Sequence, residues 1–175
     1  MYISQTIKWI QSMVIGLNFC PFAKHEMDKN GVRIEVSSAK NFEEGLQDLF
    51  MEIELLNANP ATGTTLLLYP HFLSEFLEYL DFVDLANEAI MQSGYQGVYQ
   101  LATFHPAYQF YGTTQDDVSN YTNRSPYPML HLLRETMLDQ AIAFYGPTEA
   151  IPENNIANLR SLGLAKVKRL LTNCM

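Results

Sequence analysis

VRIEVSSAKNFEEGLQDLFMEIELLNANPATGTTLLLY, residues 32–69, holds two strand signals separated by one helix signal. Val32 to Val36 alternates apolar and charged residues, the period of a strand with one covered face. From Phe42 the period changes. Phe42, Leu46, Leu49, Phe50, Ile53 and Leu56 recur at helical steps, Asn41 is a natural N-cap, and Glu43 and Glu44 occupy the first turn. Asn59-Pro60 stops that helix. Thr64 to Tyr69 is short, apolar and bounded by Gly63 and Pro70, as expected of a strand buried on both faces.

The same alternation continues outward. Leu73 to Ser93 reads as a helix with Phe76, Leu77, Leu80, Val83, Leu85 and Ile90 on its apolar face, stopped by Gly94, and Val98 to Phe104 reads as a third strand. Upstream, Ile3, Ile7, Ile10, Val14 and Leu17 form a helical stripe. Residues 105–128 lack a sustained period and read as a long ordered loop. A fourth helix is predicted from Pro128 to Phe144, and a last helical region from Glu153 to Leu171 with a break at Gly163. Two successive strand–helix–strand crossovers predict an α/β fold: a small, mainly parallel sheet of at least three strands with helices packed on it, plus C-terminal helices. The 175 residues are read as a single domain, 1–175.

Eleven basic against nineteen acidic residues give a net charge of −8, which argues against nucleic acid as a partner. The four bases without an acid after residue 153 (Arg160, Lys166, Lys168 and Arg169) are better explained by packing on acidic helices or on a second subunit. That leaves a homo-oligomer through the C-terminal helices open. Apolar runs are far too short for a membrane span, and the N-terminus lacks an export signal, so a cytoplasmic setting is expected. Cys20 and Cys174 read as free thiols.

Three blocks carry chemistry. In GLNFCPFAKH, residues 16–25, Cys20 precedes Pro21 and is biased to extended backbone, with Lys24 and His25 close enough in sequence to favour a thiolate. The alternative is packing between Phe19 and Phe22. In ATFHPAYQFYG, residues 102–112, His105 sits at a strand end among aromatic residues and is a candidate base or acid; otherwise it pins the loop through a backbone carbonyl. In the third block Asn123 and Arg124 precede the predicted helix, whose N-terminus suits an anion. Within that helix His131 could share a face with Arg134 and with Glu135. His131 with Glu135, or Asp116 with Asp117, falls short of a metal set, so no metal is assigned and the cofactor is left unknown.

Taken together, GLNFCPFA, QLATFHPAYQF and NRSPYPMLHLLRE resemble the hallmark segments of an uncharacterised bacterial family known only as a domain of unknown function. The resemblance spans most of the chain, with Phe19 where leucine is more usual, and implies that the three blocks belong to one architecture. It brings no activity. The residues themselves suggest a small-molecule enzyme acting on an anionic substrate by acyl transfer or hydrolysis, with Cys20, His105 and His131 as catalytic candidates and Asn123, Arg124 and Arg134 binding the substrate. The alternatives are a non-catalytic module for an anionic metabolite and a structural or assembly protein.

Overall fold

The computed structural model describes residues 1–146 and 148–175 and contains one four-stranded sheet. Its strands are β1 (Val32–Val36), β2 (Thr64–Leu68), β3 (Tyr99–Phe104) and β4 (Met129–Arg134), in the spatial order β1-β2-β4-β3. β1 pairs parallel with β2, while β4 is antiparallel to both β2 and β3. The expected α/β class is therefore present, but the sheet is not mainly parallel. β1, β2 and β3 do share one direction; β4 inserts between two of them and runs against both.

That fourth strand lies where the sequence predicts the first half of a helix. A strand between two neighbours buries side chains on both faces, so MLHLLR shows an apolar run without clean alternation, and such a run is ambiguous between strand and helix. Pro126 and Pro128 just upstream favour extended backbone before them. The helical part begins only at Glu135.

Among the described residues seven α-helices cover the sheet: α1 (Tyr2–Trp9), α2 (Ala23–Asp28), α3 (Phe42–Ala58), α4 (Phe76–Gln92), α5 (Glu135–Tyr145), α6 (Ile151–Leu162) and α7 (Leu164–Thr172). A π-helical turn, Ile10–Ile15, prolongs α1, and a 3₁₀ turn, Val118–Thr122, interrupts the long loop. Asn41 caps α3 as expected: its Oδ1 accepts from the Glu44 N–H at 3.0 Å, while the Glu44 carboxylate accepts from the Lys40 N–H at 2.8 Å. Such a cap contributes about 1 kcal/mol. Gly163, at φ +78°, separates α6 from α7 where the break is predicted.

The two faces of the sheet bury different helices. Leu67, Tyr69, Leu130 and Leu132 pack with Leu49, Ile53 and Phe82 of α3 and α4. Leu66, Leu68 and Met129 pack with Trp9 and Met13 at the N-terminus and with Leu159, Val167 and Leu171 of α6 and α7. The alternation of β2 thus feeds two cores. The C-terminal helices pack against the sheet of the same chain, and Lys168 reaches Asp116 at 3.0 Å. Among the described residues no helix is long and apolar enough to cross a membrane.

Candidate functional site

On the second face the helices do not close completely. A cavity of about 240 Å³ remains between the sheet, the N-terminal helix, α2 and α5. Strand residues Thr64, Ala102 and His131 reach it from three different strands, Ile10 and Val14 from the π-helical turn, and Met137 from α5. A π turn is wider than an α turn and is often found at functional sites. Gly16 ends it: a Cβ there would stand 2.4 Å from the Ser12 carbonyl oxygen.

Cys20 lines this cavity. It is half-buried and directly precedes Pro21, and both cysteines are free thiols. Burial pushes its thiol pKa up, while the N–H groups of Phe22 and Ala23 act against that shift. Lys24 does not help to ionise it, because its Nζ pairs with Asp28 at 2.5 Å on the exposed side of α2. The resting sulfur is therefore a protonated thiol facing two backbone donors.

His131 lines the same cavity, and its hydrogen bonds fix its tautomer. Thr64 has one hydroxyl hydrogen, which it donates to the Leu132 carbonyl at 2.6 Å. The 2.7 Å contact between Thr64 Oγ1 and His131 Nε2 must then have Nε2–H as donor, which leaves a lone pair on Nδ1. Burial lowers the His131 pKa to about 4, so at neutral pH the ring is an uncharged base. Glu26 is the third polar group in the wall. Its Oε1 pairs with Lys29 at 2.8 Å, whereas Oε2 is sealed from solvent and is the one such side-chain atom among the described residues with no hydrogen-bond partner. Gly31 and Gly63 make room for it, since a Cβ on either would come within 2.6 and 2.4 Å of Oε2.

The other expected site residues lie elsewhere. His105 is on the opposite face, between Phe76 and Tyr79, and wholly buried. Its Nε2 donates to the Leu73 carbonyl at 2.9 Å and its Nδ1 accepts from the Ala107 N–H at 3.0 Å. These bonds pin Leu73, a buried leucine at φ +64°, and burial lowers the pKa of the ring. Asn123 donates to the Thr103 carbonyl at 3.0 Å. Arg124, also buried, donates to the carbonyls of Tyr108 and Gln115 and lies 4.5 Å over the Tyr121 ring. Arg134 lines the cavity, but its guanidinium holds the carbonyls of Leu56, Asn59 and Thr62 at the end of α3.

The structure thus brings Cys20 and His131 together around one cavity and separates them from His105, Asn123 and Arg124. The predicted helix N-terminus after Arg124 does not exist, because a strand follows instead, and the shared helical face for His131 and Glu135 goes with it. Glu26 and Thr64 were not legible as site residues: their roles depend on contacts between segments distant in sequence, and neither lies in a recognisable motif. No group of three His, Cys, Asp or Glu side chains among the described residues could hold a metal. Neither a curated protein nor a solved structure matches the chain. One family model, described as Protein of unknown function (DUF1415), matches residues 1–169.

Proposed function

Since the chain belongs to the DUF1415 family, whose description names no activity, we propose a function from the cavity itself: thiol-dependent acyl transfer or hydrolysis on a small molecule, with Cys20 as nucleophile and His131 as its base. The carrying observation is that a thiol and an uncharged imidazole with a free Nδ1 line one largely apolar cavity. In this reading the Cys20 sulfur bonds to the acyl carbon of an ester or thioester while its proton passes to His131 Nδ1. The bond to the leaving alkoxide or thiolate then breaks, and that group takes the proton from the imidazolium. Water attacks the acyl-cysteine with His131 accepting its proton, the acid departs, and the proton returns to the thiol. The Phe22 and Ala23 N–H groups stabilise negative charge beside the sulfur.

Mass spectrometry of the intact protein after exposure to p-nitrophenyl butyrate tests this. One butyryl group on Cys20, with release of nitrophenol, is expected; Cys20→Ser should abolish the adduct, and His131→Gln should slow its formation by ~10²-fold or more. Nitrophenol release that survives Cys20→Ser with no adduct in the wild type would overturn the assignment.

A second reading, a non-catalytic binding module, is favoured by one observation, the raised Cys20 pKa. It predicts that Cys20→Ala leaves ligand affinity unchanged and that no turnover exists to lose.

A further inference from the structure

The geometry points to an uncharged acyl or aryl group of roughly ten non-hydrogen atoms as the occupant of the cavity, to the exclusion of anions; the size follows by scaling from an apolar cavity of about 150 Å³ that accepts benzene. This rests on the reading of the cavity as the reacting site and narrows its substrate class.

Three features carry it. The first is the shape of the apolar lining. Trp9, Phe22 and Phe104 supply flat walls, Ala102 and Ala141 leave the space open, and Met137 supplies a flexible side chain that can follow a ligand's outline.

The second is what the polar atoms offer. Thr64 forces the proton of His131 onto Nε2, so the cavity meets the Nδ1 lone pair. That nitrogen has no protein partner, and because Glu26 Oε2 is the one sealed atom in that condition among the described residues, Nδ1 must be reachable from the cavity that the ring lines. Glu26 and the protonated Cys20 thiol line the same cavity. The chemistry His131 and Cys20 offer it is one electron pair and a single weak donor.

The third is the absence of a free cation in the wall among the described residues. Arg134 is the cationic residue of the lining, and its Nε, Nη1 and Nη2 groups all donate to Thr62, Tyr99, Leu56 or Asn59. An anion would have to break that cap on α3 or lie unpaired beside Glu26, and an unpaired buried charge is strongly disfavoured. The anionic substrate expected from Arg124 and Arg134 therefore lacks its donors. Gly31 and Gly63 leave room for the carboxylate in the wall, since a Cβ at either position would require it to shift.

Octanol and octanoate, matched in chain and differing in charge, make the test, with the intact chain at pH 8. Octanol should raise the melting temperature and slow alkylation of Cys20 by iodoacetamide, and octanoate should need at least tenfold higher concentration for the same protection. Ala102→Leu, which fills the cavity, should remove the octanol effect; Ala141→Leu on α5 does the same from the other wall should the strand variant fail to fold. Octanoate protection equal to that of octanol overturns the proposal, as does full protection in a folded, filled variant. The binding readout needs no turnover. Octanol protection without acyl-cysteine formation would leave the substrate class standing and remove the reaction, whereas acylation by succinyl as readily as by butyryl esters would do the reverse.

Discussion

His131 owes its character to one hydroxyl. Thr64 can give its hydrogen only once, and giving it to the Leu132 carbonyl obliges the ring to donate from Nε2. Burial in the apolar wall keeps that imidazole uncharged, with a pKa near 4 against about 6.5 in the unfolded chain. Between those two values the unfolded state binds more protons, so stability is full above pH 6.5 and is lost as the pH falls towards 4. The loss from this residue is at most about 3 kcal/mol, taking 1.36 kcal/mol per pKa unit. His105, lowered in the same direction, adds to it. Urea denaturation at pH 7 and pH 4.5 should show the wild type losing more than His131→Gln, whose amide can still donate to Thr64; equal losses would place the acid sensitivity elsewhere. The alternatives at Cys20 and His105 came apart in the structure: His105 pins a loop through a backbone carbonyl, while Cys20 faces a cavity.

At the scale of elements, α3 ends on a side chain from a strand remote in sequence. Arg134, the last residue of β4, brings its guanidinium to the terminal carbonyls of α3, where the helix dipole favours positive charge. Arg134→Met should cost about 2 kcal/mol in urea denaturation, and Arg134→Lys should recover part of it, since an ammonium supplies the charge but not the planar fork. Equal stability of the methionine variant would reduce the contact to a surface feature. The same strand explains the largest misreading from sequence. Helix α3 is legible because one of its faces is wet and its cap is local; β4 is not, because both of its faces are covered. In α4 the helix itself is predicted, yet Leu77 is 76% exposed while Tyr79, Phe82 and Ala86 are buried, so its inward face is rotated from the one read from the leucines. Tyrosine serves the core there because its hydroxyl donates to the Met129 carbonyl at 2.9 Å.

At the scale of the molecule, one sheet separates two cores, and the cavity belongs to the core built from both chain termini. Leu159, Val167 and Leu171 join Trp9 and Met13 under β2 and β4, and Asn155 donates to the Phe19 carbonyl at 2.8 Å, one residue before the thiol. Removing residues 156–175 should therefore lower or abolish the cooperative thermal transition and expose Cys20 to alkylation. A truncated chain that melts like the full-length protein but changes its elution volume on gel filtration would identify the tail as an interface between copies instead.

The sequence by itself determined the α/β class, three of the four strands, the cap at Asn41 and the break at Gly163, because each follows from local period or capping chemistry. The order of the strands, the direction of β4, the placing of His131 rather than His105 on the cavity that Cys20 lines, and the conversion of Arg124 and Arg134 into braces for backbone carbonyls were decided only in the tertiary structure. Those features depend on which segments cover which face of the sheet, and a residue's neighbours across a sheet leave no period in its own stretch of chain.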